Sequence, residues 1–235
     1  VASDLDKPRG FSIIGAAETA GFLREKPVRL IWGVGQQTQA ALDKAGIRTF
    51  ADLHRWEKDD LVARFGAMGE RLWHLARGED KRRVSNSAPV KSVSNETTFG
   101  ADTADVDILA GHIWRLAEHV SDRLKAKDRA GRVVTLKLKR ANHKILTRRT
   151  SLDDPTQIAD RIYRTARALF DQVDDEGPYR LVGVGVSHIG PADAADTGGD
   201  LLDPQAGKRA GAERASDKIR ERFGPDAITK GRALR

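Results

Sequence analysis

The residues in this chain best suited to chemistry are those that would meet an anion. Gly33-Val34-Gly35 precedes a helical run around Thr38 and Leu42. Two glycines there permit a turn tight enough for the backbone N–H groups of residues 34–37 to face outward at a helix N-terminus, where a phosphate can sit. Backbone amides meet only phosphate oxygens, so this contact would position a duplex without reading its bases. A dinucleotide fold shares the Gly-x-Gly pattern, but the third glycine is missing and no βαβ unit follows; a plain turn is the remaining reading. The second feature is basic charge. Residues 132–149 carry seven Lys/Arg and no acid, and residues 81–91 carry four and no acid. Lys137, Lys139, Arg148 and Arg149 lack the interleaved acids of a solubilising face, so their charges would repel unless a phosphate backbone neutralised them. A solvated basic surface is the alternative.

Other chemistry is poorly supported. The six histidines are scattered and form no His-Glu-x-x-His set. There is no Gly-x-Ser-x-Gly elbow and no Walker loop. Asp102, Asp105 and Asp107 fall at a helix start and Asp174-Asp175-Glu176 in a loop, whereas two-metal chemistry needs carboxylates converging on ions about 4 Å apart. No catalytic or metal-ligating residue is assigned. The 235 residues carry 41 Lys+Arg against 34 Asp+Glu, a net charge of +7, and no cysteine. That excludes a disulfide-stapled scaffold and points to a reducing compartment. No run of about 18 apolar residues and no signal peptide is present, so the expectation is a soluble cytoplasmic protein with no membrane partner. Val1 stands without an initiating Met in what reads as the middle of an element, as in a piece of a longer chain.

These residues need elements to hold them. Residues 18–23 read as helical, Pro27 interrupts them, and residues 38–45 are helical again. Thr49 followed by Asp52 is a capping box opening residues 50–56. Short helices follow, from Asp59-Asp60 to Phe65-Gly66 and over residues 69–77. Residues 81–89 have no apolar period and read as an exposed linker. The period then changes. Residues 92–99 are β-branched and polar, and residues 107–124 are helical with Ile108, Ile113, Leu116, Val120 and Leu124 on one stripe. Residues 132–140 alternate, with Val134, Leu136 and Leu138 on one face and Val133, Thr135, Lys137 and Lys139 on the other. Asn142-His143 turns that strand into residues 143–152. Asp154-Pro155 is expected to open a second helix with an apolar stripe of Ile158, Ile162, Leu169 and Phe170. Residues 180–189 give a fourth strand. The result is an α+β chain: a small all-α part with a helix-hairpin-helix, then a β-α-β-β-α-β domain with two helices on one sheet face and an open basic face on the other. Residues 192–200 read as disordered, and residues 207–223 as a charged helix.

The motifs resemble those of the Y-family translesion DNA polymerases, specifically their bacterial polymerase IV type, over nearly the whole chain. Residues 2–10, with Lys7-Pro8, look like the end of that family's palm, and the resemblance assigns Lys7 to the incoming triphosphate. Pro27-Val28-Arg29-Leu30-Ile31-Trp32-Gly33-Val34-Gly35 is similar to the thumb hairpin, and residues 65–80 to the end of the thumb. Lys91-Ser92-Val93-Ser94-Asn95-Glu96-Thr97-Thr98-Phe99 resembles the first strand of the little finger, and Arg180-Leu181-Val182-Gly183-Val184 its last. The implied organisation is end of palm 1–25, thumb 26–80, basic linker 81–91, little finger 92–190, and a flexible tail with a C-terminal helix 191–235. The implied DNA contacts are Gly33, Val34, Gly35, Lys91, Ser92, Ser94, Lys137, Lys139, Arg148 and Arg149.

What the resemblance implies for the intact enzyme is DNA-directed nucleotidyl transfer during damage bypass, with Mg²⁺, primer–template DNA and a deoxynucleoside triphosphate, as a monomer. The family's metal-binding carboxylates have no equivalent here, so the expected role of this chain is grip, and alone it should not polymerise. A non-catalytic DNA-binding or accessory protein using the same modules is the other reading. Gly198-Gly199-Asp200-Leu201-Leu202 is comparable in position to the family's sliding-clamp motif, keeping a paired apolar anchor in Leu201 and Leu202 but neither its Gln nor its Phe. A clamp contact and a linker with two stray leucines are both open readings.

Overall fold

Two hydrophobic cores form in this chain because its apolar residues repeat with two different periods. The computed structural model describes residues 5, 7–8, 10–83, 85, 87, 89–174, 176–193, 195–196, 205–224, 227–228 and 231. They divide into two compact units, Val1–Asn86 and Ser87–Arg235.

In the first unit, glycines and caps cut the chain into short helices: α1 (Ala16–Leu23), a 3₁₀ turn (Val28–Leu30), α2 (Gln36–Lys44), α3 (Phe50–His54), α4 (Lys58–Phe65) and α5 (Ala67–Ala76). The capping box at the start of α3 is present. The Thr49 side chain accepts from the Asp52 N–H at 3.3 Å, and the Asp52 carboxylate accepts from the Thr49 and Arg48 N–H groups at 2.9 and 3.0 Å. Those backbone donors, Thr49 first and then Arg48, hold the Asp52 carboxyl below its ordinary value. Val28, Ile31, Leu42, Ile47, Phe50, Leu53, Leu61 and Leu72 close over one another as the core.

The second unit runs β1 (Ser92–Thr103), α6 (Val106–Lys125), β2 (Arg129–Arg140), β3 (Ile145–Thr156), α7 (Ala159–Asp171), β4 (Tyr179–Pro191) and α8 (Ala206–Phe223). The sheet order is β1-β4-β2-β3 with every neighbouring pair antiparallel. The alternation in β2 survives as drawn from sequence: Val134, Leu136 and Leu138 are buried with Val182, Val184 and Val186 of β4. Leu109, Ile113, Leu116, Val120 and Leu124 of α6 and Ile162 and Leu169 of α7 cover that face. Ile108, expected on the stripe, is exposed. It follows Asp105, whose carboxylate caps α6 by accepting from the Asp107 and Ile108 N–H groups at 2.8 and 3.0 Å.

Two expectations are corrected. Asp154-Pro155 does not open a helix; both residues continue β3, and α7 begins at Ala159. A β-bulge near Gly131 returns Thr156 to the ladder opposite Gly131, and β3 is an edge strand, where a missing N–H costs no ladder bond. Of residues 192–200, expected to be disordered, Asp196 is held in place, and 194 and 197–200 lie outside the described residues. The Asp196 N–H donates to the Pro155 carbonyl at 3.1 Å, and its carboxylate accepts from the Gln157 N–H at 3.1 Å and from Arg161 at 3.3 Å. Downstream, α8 is docked on its unit rather than loose: Glu213 is 2% exposed, and its carboxylate accepts from the α7 N–H groups of Ala159 and Asp160 at 2.7 and 3.1 Å and from Lys125 at 2.7 Å.

Candidate nucleic-acid interface

The sheet register decides which side chains share the face away from α6 and α7. Directly opposed residues in antiparallel strands point to the same side, so four rows cross the open face. Ser92, Ser187, Val133 and Ser151 form the first; Ser94, Gly185, Thr135 and Arg149 the second; Glu96, Gly183, Lys137 and Thr147 the third; Thr98, Leu181, Lys139 and Ile145 the fourth. Within this surface lies a shallow groove of about 310 Å³ lined by Ser92, Ser94, Thr135, Thr147 and Ser187, with Gly183 and Gly185 among its lining residues. Hydroxyl donors over a glycine floor, flanked by Lys137, Lys139 and Arg149, make a surface that can receive phosphate oxygens.

Of the basic hairpin residues singled out from sequence, Lys137, Lys139 and Arg149 share this face. Arg148 does not. It stands opposite Leu136, a core residue, so its side chain belongs to the helix-covered side at the exposed edge of β3. Neighbouring residues in a strand cannot both face one ligand. The expected absence of acids on this surface also fails at one position: Glu96 of β1 meets Lys137 at 2.7 Å. The two reach each other across Gly183, which has no side chain to separate them. Among the described residues Lys139 and Arg149 have no ion-pair partner. Ser92 and Ser94 lie on the same open face and are exposed, and Lys91 immediately precedes them. Sequence reading put Thr135 on this face without giving it a contact and did not single out Thr147, Ser187 or Glu96. The alternation of β2 already placed Thr135 beside Lys137, but the contribution of Ser187 depends on β4 lying between β1 and β2, which no local pattern announces.

In the first unit Gly33 has φ +99°, a conformation that side chains rarely adopt. Gly35 is the N-cap of α2, extended and without a side-chain cap, and space is open where its Cβ would be. The first helical N–H groups, of Gln36, Gln37 and Thr38, have no acceptor within the helix. The Val34 N–H differs from the expectation: it donates to the Ile31 carbonyl at 3.0 Å, so it closes the turn instead of facing outward. Arg71 of α5 adds a positive charge beside the turn, donating to the Trp32 carbonyl at 2.9 Å with its guanidinium 5.4 Å from the Trp32 ring centre.

Lys7 is exposed. Leu201 and Leu202 lie outside the described residues. Among the described residues no group of three or more His, Asp or Glu is placed to hold a metal ion, and no helix is long and apolar enough to cross a membrane.

Known proteins resemble this chain in both units. A family model described as the impB/mucB/samB family C-terminal domain matches residues 90–201, and one described as the DNA polymerase-iota thumb domain matches residues 29–80. The chain is 49% identical over 231 residues to a DNA polymerase IV of Brucella melitensis, covering 98% of this chain and 52% of that protein. It is 41% identical over 235 residues to a DNA polymerase IV of Caulobacter vibrioides, covering 100% of this chain and 58% of that protein. The chain thus spans little more than half the length of these relatives. A solved Y-family DNA polymerase chimera shares the fold with a TM-score of 0.56 at 22% identity, over 80% of this chain and 54% of that one.

Proposed function

Because the chain belongs to the Y-family DNA polymerases of the polymerase IV type, we propose that it is the duplex-holding portion of an error-prone, template-directed DNA polymerase acting in damage bypass. The observation that carries this reading is the open sheet face, with Lys137, Lys139, Arg149 and a field of hydroxyls on one side and both crossing helices on the other. Such a face holds the sugar–phosphate backbone and does not interrogate base edges. A template held by its backbone tolerates a distorted base, which is the physical ground for bypass. The thumb amides of Gln36, Gln37 and Thr38 after Gly33-Val34-Gly35 supply a second phosphate contact.

In the intact enzyme a primer 3′-hydroxyl would attack the α-phosphate of a deoxynucleoside triphosphate and pyrophosphate would leave, Mg²⁺ would supply charge stabilisation, and Lys7 would meet the triphosphate. The described residues offer no carboxylate cluster that fits such ions, so no step of the transfer is assigned to this chain's own side chains. A cytoplasmic, monomeric protein suits this role. Leu201 and Leu202 remain a proposed clamp contact.

The test is duplex affinity as a function of salt for Arg149→Ala and Arg148→Ala. Arg149→Ala should weaken binding and reduce the slope of log K against log salt by about one unit, while Arg148→Ala leaves the slope nearly unchanged. Equal effects of the two substitutions, or none from Arg149→Ala, would remove the open face from the interface.

A further inference from the structure

Lys137 sits at the centre of the open face, yet it is already occupied: its Nζ is 2.7 Å from the Glu96 carboxylate, and the two side chains are 36% and 51% exposed. The contact is built by the fold. Glu96 and Lys137 are both opposite Gly183, on either side of β4, and a Cβ at Gly183 would lie 3.0 Å from the Glu96 Cβ. Any larger residue at that position would push the pair apart. Among residues the register places on this face, Glu96 is the one acid. It lines the groove together with the hydroxyls of Ser92, Ser94, Thr135, Thr147 and Ser187.

We propose that Glu96 is an intramolecular competitor of phosphate: its carboxylate holds Lys137 in the free protein and is displaced when a nucleic-acid backbone enters the groove. This rests on the reading of the open face as the duplex-binding surface. The physical consequence is a weakened grip. A phosphate that takes Lys137 releases condensed cations from the DNA, but the carboxylate it displaces recruits a cation back, so one contact contributes little to the salt dependence. Glu96 also repels the arriving phosphate directly. The device lowers affinity without altering the hydroxyl donors or the shape of the groove, as suits a protein that must let its duplex slide.

The experiment compares the full chain, Glu96→Gln, Lys137→Met and the double variant for binding of a fluorescent DNA duplex across a salt series. Glu96→Gln should tighten binding about three-fold at low salt and steepen the slope by about one unit. In the Lys137→Met background the same substitution should lose the steepening, because there is no ammonium for Glu96 to withhold from the phosphate. Glu96→Gln with wild-type affinity and slope overturns the proposal, while weaker binding by Lys137→Met than by the wild-type chain leaves the open face intact as an interface. No duplex binding by any of the four proteins overturns both.

Discussion

Single residues set the limits of the thumb turn. With φ at +99°, Gly33 holds a conformation in which any side chain is strained. Gly33→Ala should destabilise the first unit by about 1–2 kcal/mol, read by denaturant unfolding monitored on tryptophan fluorescence. The cap at Thr49 has a smaller and pH-dependent effect. Thr49→Ala should cost about 1 kcal/mol at neutral pH. Asp52 has a folded value below its ordinary 3.8 because amides donate to its ionised form. Its contribution is therefore complete above that ordinary value and is lost as pH falls through the lower folded one. The cost of Asp52→Asn should shrink over that acid window, and a cost independent of pH down to full unfolding would contradict the assignment.

At the scale of elements, α8 does for α7 what a local cap does for most helices. Ile158, the N-cap of α7, offers no side-chain acceptor, and Glu213 supplies it from more than 50 residues downstream. Burial pushes the Glu213 carboxyl up, but the Lys125 ammonium and the hydrogen bonds from Lys125, Ala159 and Asp160 outweigh it, and the net position is below the ordinary glutamate value. Lys125 moves the opposite way: burial lowers it, while the charges of Glu213 and Asp217 and their hydrogen bonds raise it overall. The pair's stabilisation is thus present between the two ordinary values of 4.5 and 10.5. It is lost as pH falls through the depressed Glu213 value or rises through the elevated Lys125 value. Glu213→Ala takes one of two carboxylates from the Lys125 ammonium, which keeps Asp217 at 2.6 Å, and leaves two helix-end amides unsatisfied, so it should cost about 2 kcal/mol at pH 7, measured by chemical denaturation. A change below about 0.5 kcal/mol would mean that α8 does not support α7.

At the scale of the whole molecule, the described residues form two cores of different construction, one of short helices and one of sheet and helices. Two cores with no shared residues should unfold as two cooperative events. Gly33→Ala should move one transition and Glu213→Ala the other in differential scanning calorimetry, with the double variant showing the sum of the two shifts. A single transition displaced by either substitution would show that the units stabilise each other.

Much was legible beforehand where the signal is local. The capping box at Thr49 and Asp52, the two-residue alternation of β2 and the stripe of α6 each arise from contacts within a few residues, so the order of symbols carries them. The β-α-β-β-α-β order followed from the apolar periods of its six elements with the turn at Asn142-His143, although the start of the second helix was read from Asp154-Pro155. Tertiary structure decided what depends on partners distant in the chain. Arg148 and Arg149 are equally basic in sequence, and pairing with Leu136 and Thr135 sends them to opposite faces. Pro155 is an N1-type helix signal until the bulge at Gly131 keeps β3 in the ladder. Lys137 has no acid near it in the chain, and Glu96 reaches it only because β4 presents a glycine between them. A charge is written in the sequence, but the direction it faces and the charge it meets are set by strand pairing.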